Sequence, residues 1–173
     1  MPSDLFLPKV NLDLLYPPFL ERYLELKVRC RARGANYLCT FGYRTWDESD
    51  EMYVLWKAGK GGKSALGGNS SHNFGLAGDE ALVTQTSPRI CSWGLGDFKI
   101  LADEAAKLGL HHGASYNDWP HVSWPGFVSG LELQPLRDIW RDNLKLLLLP
   151  RLRKVWEYVD AHSAVPPFIP SNP

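Results

Sequence analysis

The chain has 173 residues, with 19 Lys and Arg against 19 Asp and Glu, and seven each of Trp, Tyr and Phe. That length fits one domain with a real core, and the aromatic content excludes a disordered chain. The balanced charge gives no global basic field for nucleic acid. The three cysteines, Cys30, Cys39 and Cys91, are odd in number and widely spaced. They read as reduced thiols, neither a disulfide framework nor a thiolate zinc cluster.

In chain order, "MPSDLFLPKVNLDLLYPPFL" carries Asp4, Lys9, Asp13 and prolines inside its apolar stretch. It therefore lacks the continuous apolar run of a secretory signal, and a soluble chain that starts in the cytoplasm is expected. "PPFLERYLELKVRCRARG" places Phe19, Leu20, Tyr23, Leu24, Leu26 and Val28 among charges, with Gly34 beyond, which predicts an amphipathic helix with a glycine stop. "NYLCTFGYR" predicts a strand ending near Arg44. Thr45 followed by Glu48 is a capping box, so a second helix should begin there. "KGGKSALGGNS" reads as a mobile loop, and "FGLAGDEALV" as a strand. "DFKILADEAAKLGL" predicts a helix with Asp97 near its start and Gly109 at its end. "WPHVSW" reads as a short strand. The apolar spacing of Leu136, Ile139 and Trp140, then Leu152, Val155, Trp156 and Val159, predicts two helical pieces broken at Pro150. "LKLLLLP" is too short to span a bilayer, and "VPPFIPSNP" should be extended or disordered.

"SSHNFGLAGDEAL" holds His72 and Asp79 seven positions apart, separated mainly by small residues. A catalytic zinc site takes three protein ligands from His, Asp and Glu and leaves a fourth position open. His121, in "NDWPHVSW", is the natural third ligand, and Asp118 precedes it by three residues. A carboxylate that close to a ligand, but outside the ligand set, is placed to take a proton from the attacking water. Each residue also has a plainer reading. A single His near a strand is more often a hydrogen-bonded surface or core residue. Asp79 fits a turn acceptor, Asp118 fits the start of a turn before Pro120, and Arg44 fits a surface ion pair with Asp47 or Glu48. His111 and His112 are neighbours on an extended segment and point to opposite faces, so at least one is wall or surface.

The combination is more specific. Ser70, His72, Gly75, Ala77 and Asp79 form S-x-H-x-x-G-x-A-x-D, followed by D-x-x-H at Asp118 and His121 and preceded by "GYR" ending at Arg44. This set resembles the zinc peptidases of bacterial cell-wall peptides: D-alanyl-D-alanine carboxypeptidases, vancomycin-resistance dipeptidases and phage L-alanyl-D-glutamate peptidases. The resemblance covers roughly residues 36–124. It implies that His72, Asp79 and His121 ligate Zn2+, that Asp118 is general base and then acid, and that Arg44 steadies the substrate carbonyl or oxyanion. Ser70 would support the turn, and Gly75 and Ala77 would let the backbone pass close to the metal. Three positions depart from the family: Ser49 stands where many relatives carry Gln, and Gly78 and Glu80 flank the ligand Asp where bulky apolar residues are common. "HHGASYN" also differs and should form a wall of the cleft.

The resemblance implies an α+β fold of the hedgehog and D-Ala-D-Ala peptidase type. A small antiparallel sheet carries the zinc site on one face, with helices packed around it. Residues 1–163 would form a single zinc peptidase domain, with C-terminal helices at about 134–162 beyond the family core, and 164–173 an extended or disordered tail. The function implied is peptidoglycan hydrolysis by an endolysin-type L-alanyl-D-glutamate endopeptidase. The alternatives are a D-alanyl-D-alanine carboxypeptidase or dipeptidase, and a non-catalytic zinc-containing binding module. The expected partner is the peptidoglycan stem peptide, with no nucleic acid and no stable membrane insertion. A monomer is expected, held in the host cytoplasm and released to the wall through a partner pore.

Overall fold

A computed structural model describes residues 6–7 and 9–168 of the chain. Asp4 and residues 169–173, on which parts of the signal and tail readings fall, lie outside them. The first helix, α1 (Pro17–Ala32), starts with prolines at positions where no intrahelical N–H is needed, and buries Phe19, Tyr23, Leu26 and Cys30 completely. It leads into strand β1 (Tyr37–Phe41). Helix α2 (Trp46–Lys57) opens at Thr45, whose side chain accepts the Glu48 N–H while Glu48 accepts the Thr45 N–H. This is the capping box expected from sequence. Strand β2 (Ala77–Thr86) follows a short turn at Ser71–Phe74. Helix α3 (Lys99–Lys107) packs Leu101 and Ala105 into the core and ends before Gly109, which has φ 68°.

The five strands pair antiparallel, and Phe6 adds a single parallel bridge to Cys39. The sheet runs β1-β2-β5-β4, with β5 at His121–Ser123 and β4 at His111–His112, and β3 (Arg89–Ser92) returning along the outer half of β2. Neither β3 nor β4 stands out in the sequence. β4 is a two-residue strand whose order comes from its partner β5.

Helices α4 (Gln134–Asp142) and α5 (Leu148–His162) form the expected C-terminal pair, but the break is not at Pro150. It falls at residues 143–147, and Pro150 sits in the first turn of α5. An N–H has no helical partner there, so proline is tolerated. Both helices join the main core. Trp140 stacks on Trp46 with ring centroids 5.7 Å apart, and the Trp156 indole donates to the Phe74 carbonyl at 2.8 Å. Residues 163–168 lie in no helix or strand, and Arg22 reaches back to the Pro166 carbonyl and packs over the Phe168 ring. Among the described residues no helix is long and apolar enough to cross a membrane.

The two faces of β2 differ in chemistry because successive side chains alternate. Asp79 points to one face. Glu80 points to the other, where α1 brings Lys27 to it, and both side chains of this ion pair are fully buried. Lys27 also donates to the Tyr37 carbonyl at 3.4 Å. Gly78 is small because a Cβ there would run into the Tyr23 hydroxyl. Glu80 and Gly78 thus answer to helix packing behind the sheet. Lys27→Met should strand the Glu80 carboxylate without a partner and cost about 3–5 kcal/mol of stability. Urea unfolding of the variant checks this, and a midpoint equal to the parent's would refute it.

Candidate metal centre

Two of the candidate ligands are placed by sheet register. Asp79 in β2 lies directly opposite His121 in β5, so their side chains share one face. His72 comes from the turn before β2. Ser70 opens that turn by accepting the His72 N–H at 3.4 Å, and the His72 carbonyl accepts the Arg44 N–H at 3.1 Å. Asn73, fully buried, fixes the turn further. Its amide donates to the carbonyls of Arg44 and Thr45 and to Ser49 Oγ at 2.8–3.2 Å, and its oxygen accepts the Gly68 N–H at 2.9 Å.

The three side chains converge. His72 Nε2 and His121 Nδ1 each lie 3.1 Å from Asp79 Oδ1 and 3.2 Å from one another. A tetrahedral ion with bonds of about 2.0–2.1 Å spaces its ligand atoms roughly 3.3 Å apart, so this donor set fits zinc in both type and spacing. The remaining ring nitrogens are held as a metal site requires. His72 Nδ1 lies 2.7 Å from the Gly42 carbonyl, which can only accept, so the proton sits on Nδ1 and Nε2 keeps its lone pair. His121 Nε2 lies 3.3 Å from Ser71 Oγ, leaving Nδ1 for the centre. Burial lowers the His72 pKa and keeps the ring neutral.

The triad lines a cleft of about 610 Å³ together with Arg44, Asp118, Tyr116, Phe41 and Trp93. Arg44 is 6% exposed. Its Nη2 lies 3.4 Å from Asp79 Oδ2, and its guanidinium packs over the Phe41 ring. The alternative of a surface ion pair with Asp47 or Glu48 is not what the structure has, since Glu48 is committed to the helix cap. The Asp118 carboxylate has no hydrogen-bond or ion-pair partner among the described residues. Burial, and then the negative charge of Asp79, raise its pKa above the usual carboxylate value, against the pull of His121, His72 and Lys63.

No protein-family model matches the chain. It is 30% identical over 120 residues to the peptidoglycan L-alanyl-D-glutamate endopeptidase CwlK of Bacillus subtilis, a match covering 62% of this chain and 72% of CwlK. The chain belongs to the family of zinc D-alanyl-D-alanine carboxypeptidases and L-alanyl-D-glutamate peptidases. Solved structures of similar fold include the Serratia marcescens L-Ala D-Glu endopeptidase ChiX, at a TM-score of 0.50 and 18% identity over 70% of this chain and 91% of ChiX. Another is the vancomycin-resistance D,D-pentapeptidase VanY in complex with Zn(II), at 0.51 and 20% identity over 80% of this chain and 83% of VanY. The fold is therefore that of the family, a small antiparallel sheet with the site on one face and helices packed around it.

Several positions have roles other than those the motif suggests. The side chain against the His121 ring is Ser71, while Ser70 caps the turn. Gly75 is small for a reason unrelated to any metal: its φ is 71°, and a Cβ would meet the Leu14 carbonyl. Ser49 is fully buried, bonded to Asn73 and absent from the cleft wall. Within "HHGASYN", Tyr116 forms a wall of the cleft with His111 stacked on its ring, while His112 points to the other face and packs against Trp119. The glycine-lysine loop borders the cleft at Gly62, Lys63, Ser64, Ala65 and Asn69. It is not free throughout. Its second half is tied down: the Gly67 N–H donates to Asp50 at 2.8 Å, and Arg137 donates to Asn69 at 2.6 Å. Lys57 ends α2 and packs over the Trp56 ring.

Proposed function

We propose that this protein is a zinc-dependent L-alanyl-D-glutamate endopeptidase that hydrolyses the stem peptide of bacterial peptidoglycan. The observation that supports this reading best is the set of three donor atoms 3.1–3.2 Å apart in an open cleft, in a relative of CwlK. His72, Asp79 and His121 would hold the metal, with Ser70 supporting the His72 turn. When bound, zinc lowers the pKa of a water to about 7 and polarises the scissile carbonyl.

The chain's own residues supply the rest. Asp118 takes the proton from the attacking water. As the amide C–N bond breaks, it hands that proton to the departing amine. Its place on the turn three residues before His121, free of other partners among the described residues, suits both halves of this duty. Arg44 is fixed between Asp79 and the Phe41 ring before substrate arrives. A positive charge already in place stabilises the developing oxyanion more than the ground-state carbonyl. A purely binding role for the fold would need neither group.

Lys63, on the cleft border, should attract the carboxylates of the stem peptide. Lys63→Ala should raise KM about 1.5- to 5-fold, as expected for one exposed charge, and flatten the dependence of KM on salt. Neutralising Lys57 and Lys60 as well should add little. Steady-state kinetics across ionic strengths checks this, and an unchanged KM at low salt would leave the loop as a connection only. On this reading the enzyme works as a monomer and reaches the wall after release from the cytoplasm through a partner pore.

The deciding experiment is mass spectrometry of fragments released from purified peptidoglycan. New L-alanine carboxyl ends and D-glutamate amino ends are expected. Release of free D-alanine instead would replace the reading with a D-alanyl-D-alanine carboxypeptidase.

A further inference from the structure

Tyr116 is a cleft residue that the family motif does not name. It ends a short turn, Gly113–Tyr116, that is closed by the Asp118 N–H donating to the Gly113 carbonyl at 2.9 Å and the Asn117 N–H donating to Ala114 at 3.2 Å. The same turn therefore sets both Tyr116 and Asp118. The Tyr116 ring is held on two sides. His111 stacks on it with centroids 5.6 Å apart and planes 7° apart, and His121 meets it at 6.1 Å and 61°. A ring held in this way points its hydroxyl in one direction.

Tyr116 is half-buried on the cleft wall, and its hydroxyl has no hydrogen-bond partner among the described residues. A phenol O–H is a hydrogen-bond donor at neutral pH, and this one sits on the turn that also sets Asp118. A rigid neutral donor with nothing to bond in the free protein matches a group that waits for an acceptor on the substrate.

We propose that the Tyr116 hydroxyl donates a hydrogen bond to the oxygen that gains charge on the scissile carbonyl, as a second donor beside Arg44. The inference rests on the peptidase reading. Two cationic or neutral donors on one oxygen share the developing charge, and each strengthens as the carbonyl becomes an oxyanion.

The test is Tyr116→Phe, which keeps the ring between His111 and His121 and removes only the oxygen. With the zinc-loaded enzyme and soluble muropeptide, kcat should fall roughly 10²-fold, the usual cost of losing one such donor. KM should change little, and zinc content and the thermal midpoint should match the parent. A kcat equal to the parent's, or a loss confined to KM, overturns the role. A loss of zinc or of thermal stability that accounts for the whole effect overturns it too, since it would make Tyr116 structural. The parent protein, run alongside, separates the two ideas. If the parent releases D-alanine, the L-alanyl-D-glutamate assignment fails while Tyr116 is still judged on the bond that is cut. If the parent cleaves no peptide bond, both fall.

Discussion

His121→Ala is expected to abolish zinc binding and peptide hydrolysis together while leaving the sheet in place. His121 pairs with Asp79 through the backbone of β5 and β2, and that pairing does not need the imidazole. The side chain contributes one of the three donor atoms, and its loss leaves only His72 and Asp79, 3.1 Å apart. Removing a group that merely orients a metal ligand already weakens binding about 10–100-fold, so removing a ligand should exceed that. Metal analysis of the purified parent should give about one zinc per chain, and the variant close to none. Circular dichroism should show the same secondary structure in both. Activity lost to a chelator should return on adding zinc to the parent but not to the variant. Full zinc occupancy in His121→Ala would remove His121 from the ligand set.

The parts of this molecule that were legible in the sequence are those whose causes are local. The capping box at Thr45 and Glu48 fixes the start of α2 within four residues, and the apolar spacing of α1 and α5 follows from one helix face. The candidate metal triad stood out in the sequence for a different reason. His72 and Asp79 are joined by a short turn and the start of a strand, and the D-x-x-H that follows is specific in combination.

What stayed hidden depends on contacts between distant segments. Glu80 finds Lys27 across 53 positions, and Asn73 joins the end of β1, the start of α2 and the glycine-lysine loop. No periodicity marks either. The two adjacent serines illustrate the limit most closely. Ser70 and Ser71 are chemically identical, and only the path of the turn sends one to its own backbone and the other to the His121 ring. The misplaced break at Pro150 has the same origin. Proline stops a helix in its interior but not in its first turn, and α5 is placed by its packing on α4 and by Trp156 donating to the Phe74 carbonyl.

Asp118→Ala is expected to keep zinc and fold and to lose about 10²–10⁴-fold in turnover, the usual contribution of a positioned general base. At 1.36 kcal/mol per decade this is about 2.7–5.5 kcal/mol of transition-state stabilisation. The structure makes the separation of chemistry from stability unusually clean. The backbone of Asp118 closes the turn, with its N–H donating to Gly113 at 2.9 Å and its carbonyl accepting the His121 N–H at 3.2 Å. Alanine preserves both bonds. The carboxylate holds no hydrogen-bond or ion-pair partner among the described residues. Truncating it breaks no hydrogen bond or ion pair among the described residues, so the thermal midpoint should hold. A structural residue would behave in the opposite way, losing stability along with activity. Lysis of outer-membrane-stripped cells gives the readout. A variant that lyses them as fast as the parent would show that the proton is taken elsewhere, and a variant that loses its zinc would make Asp118 part of the metal's support instead.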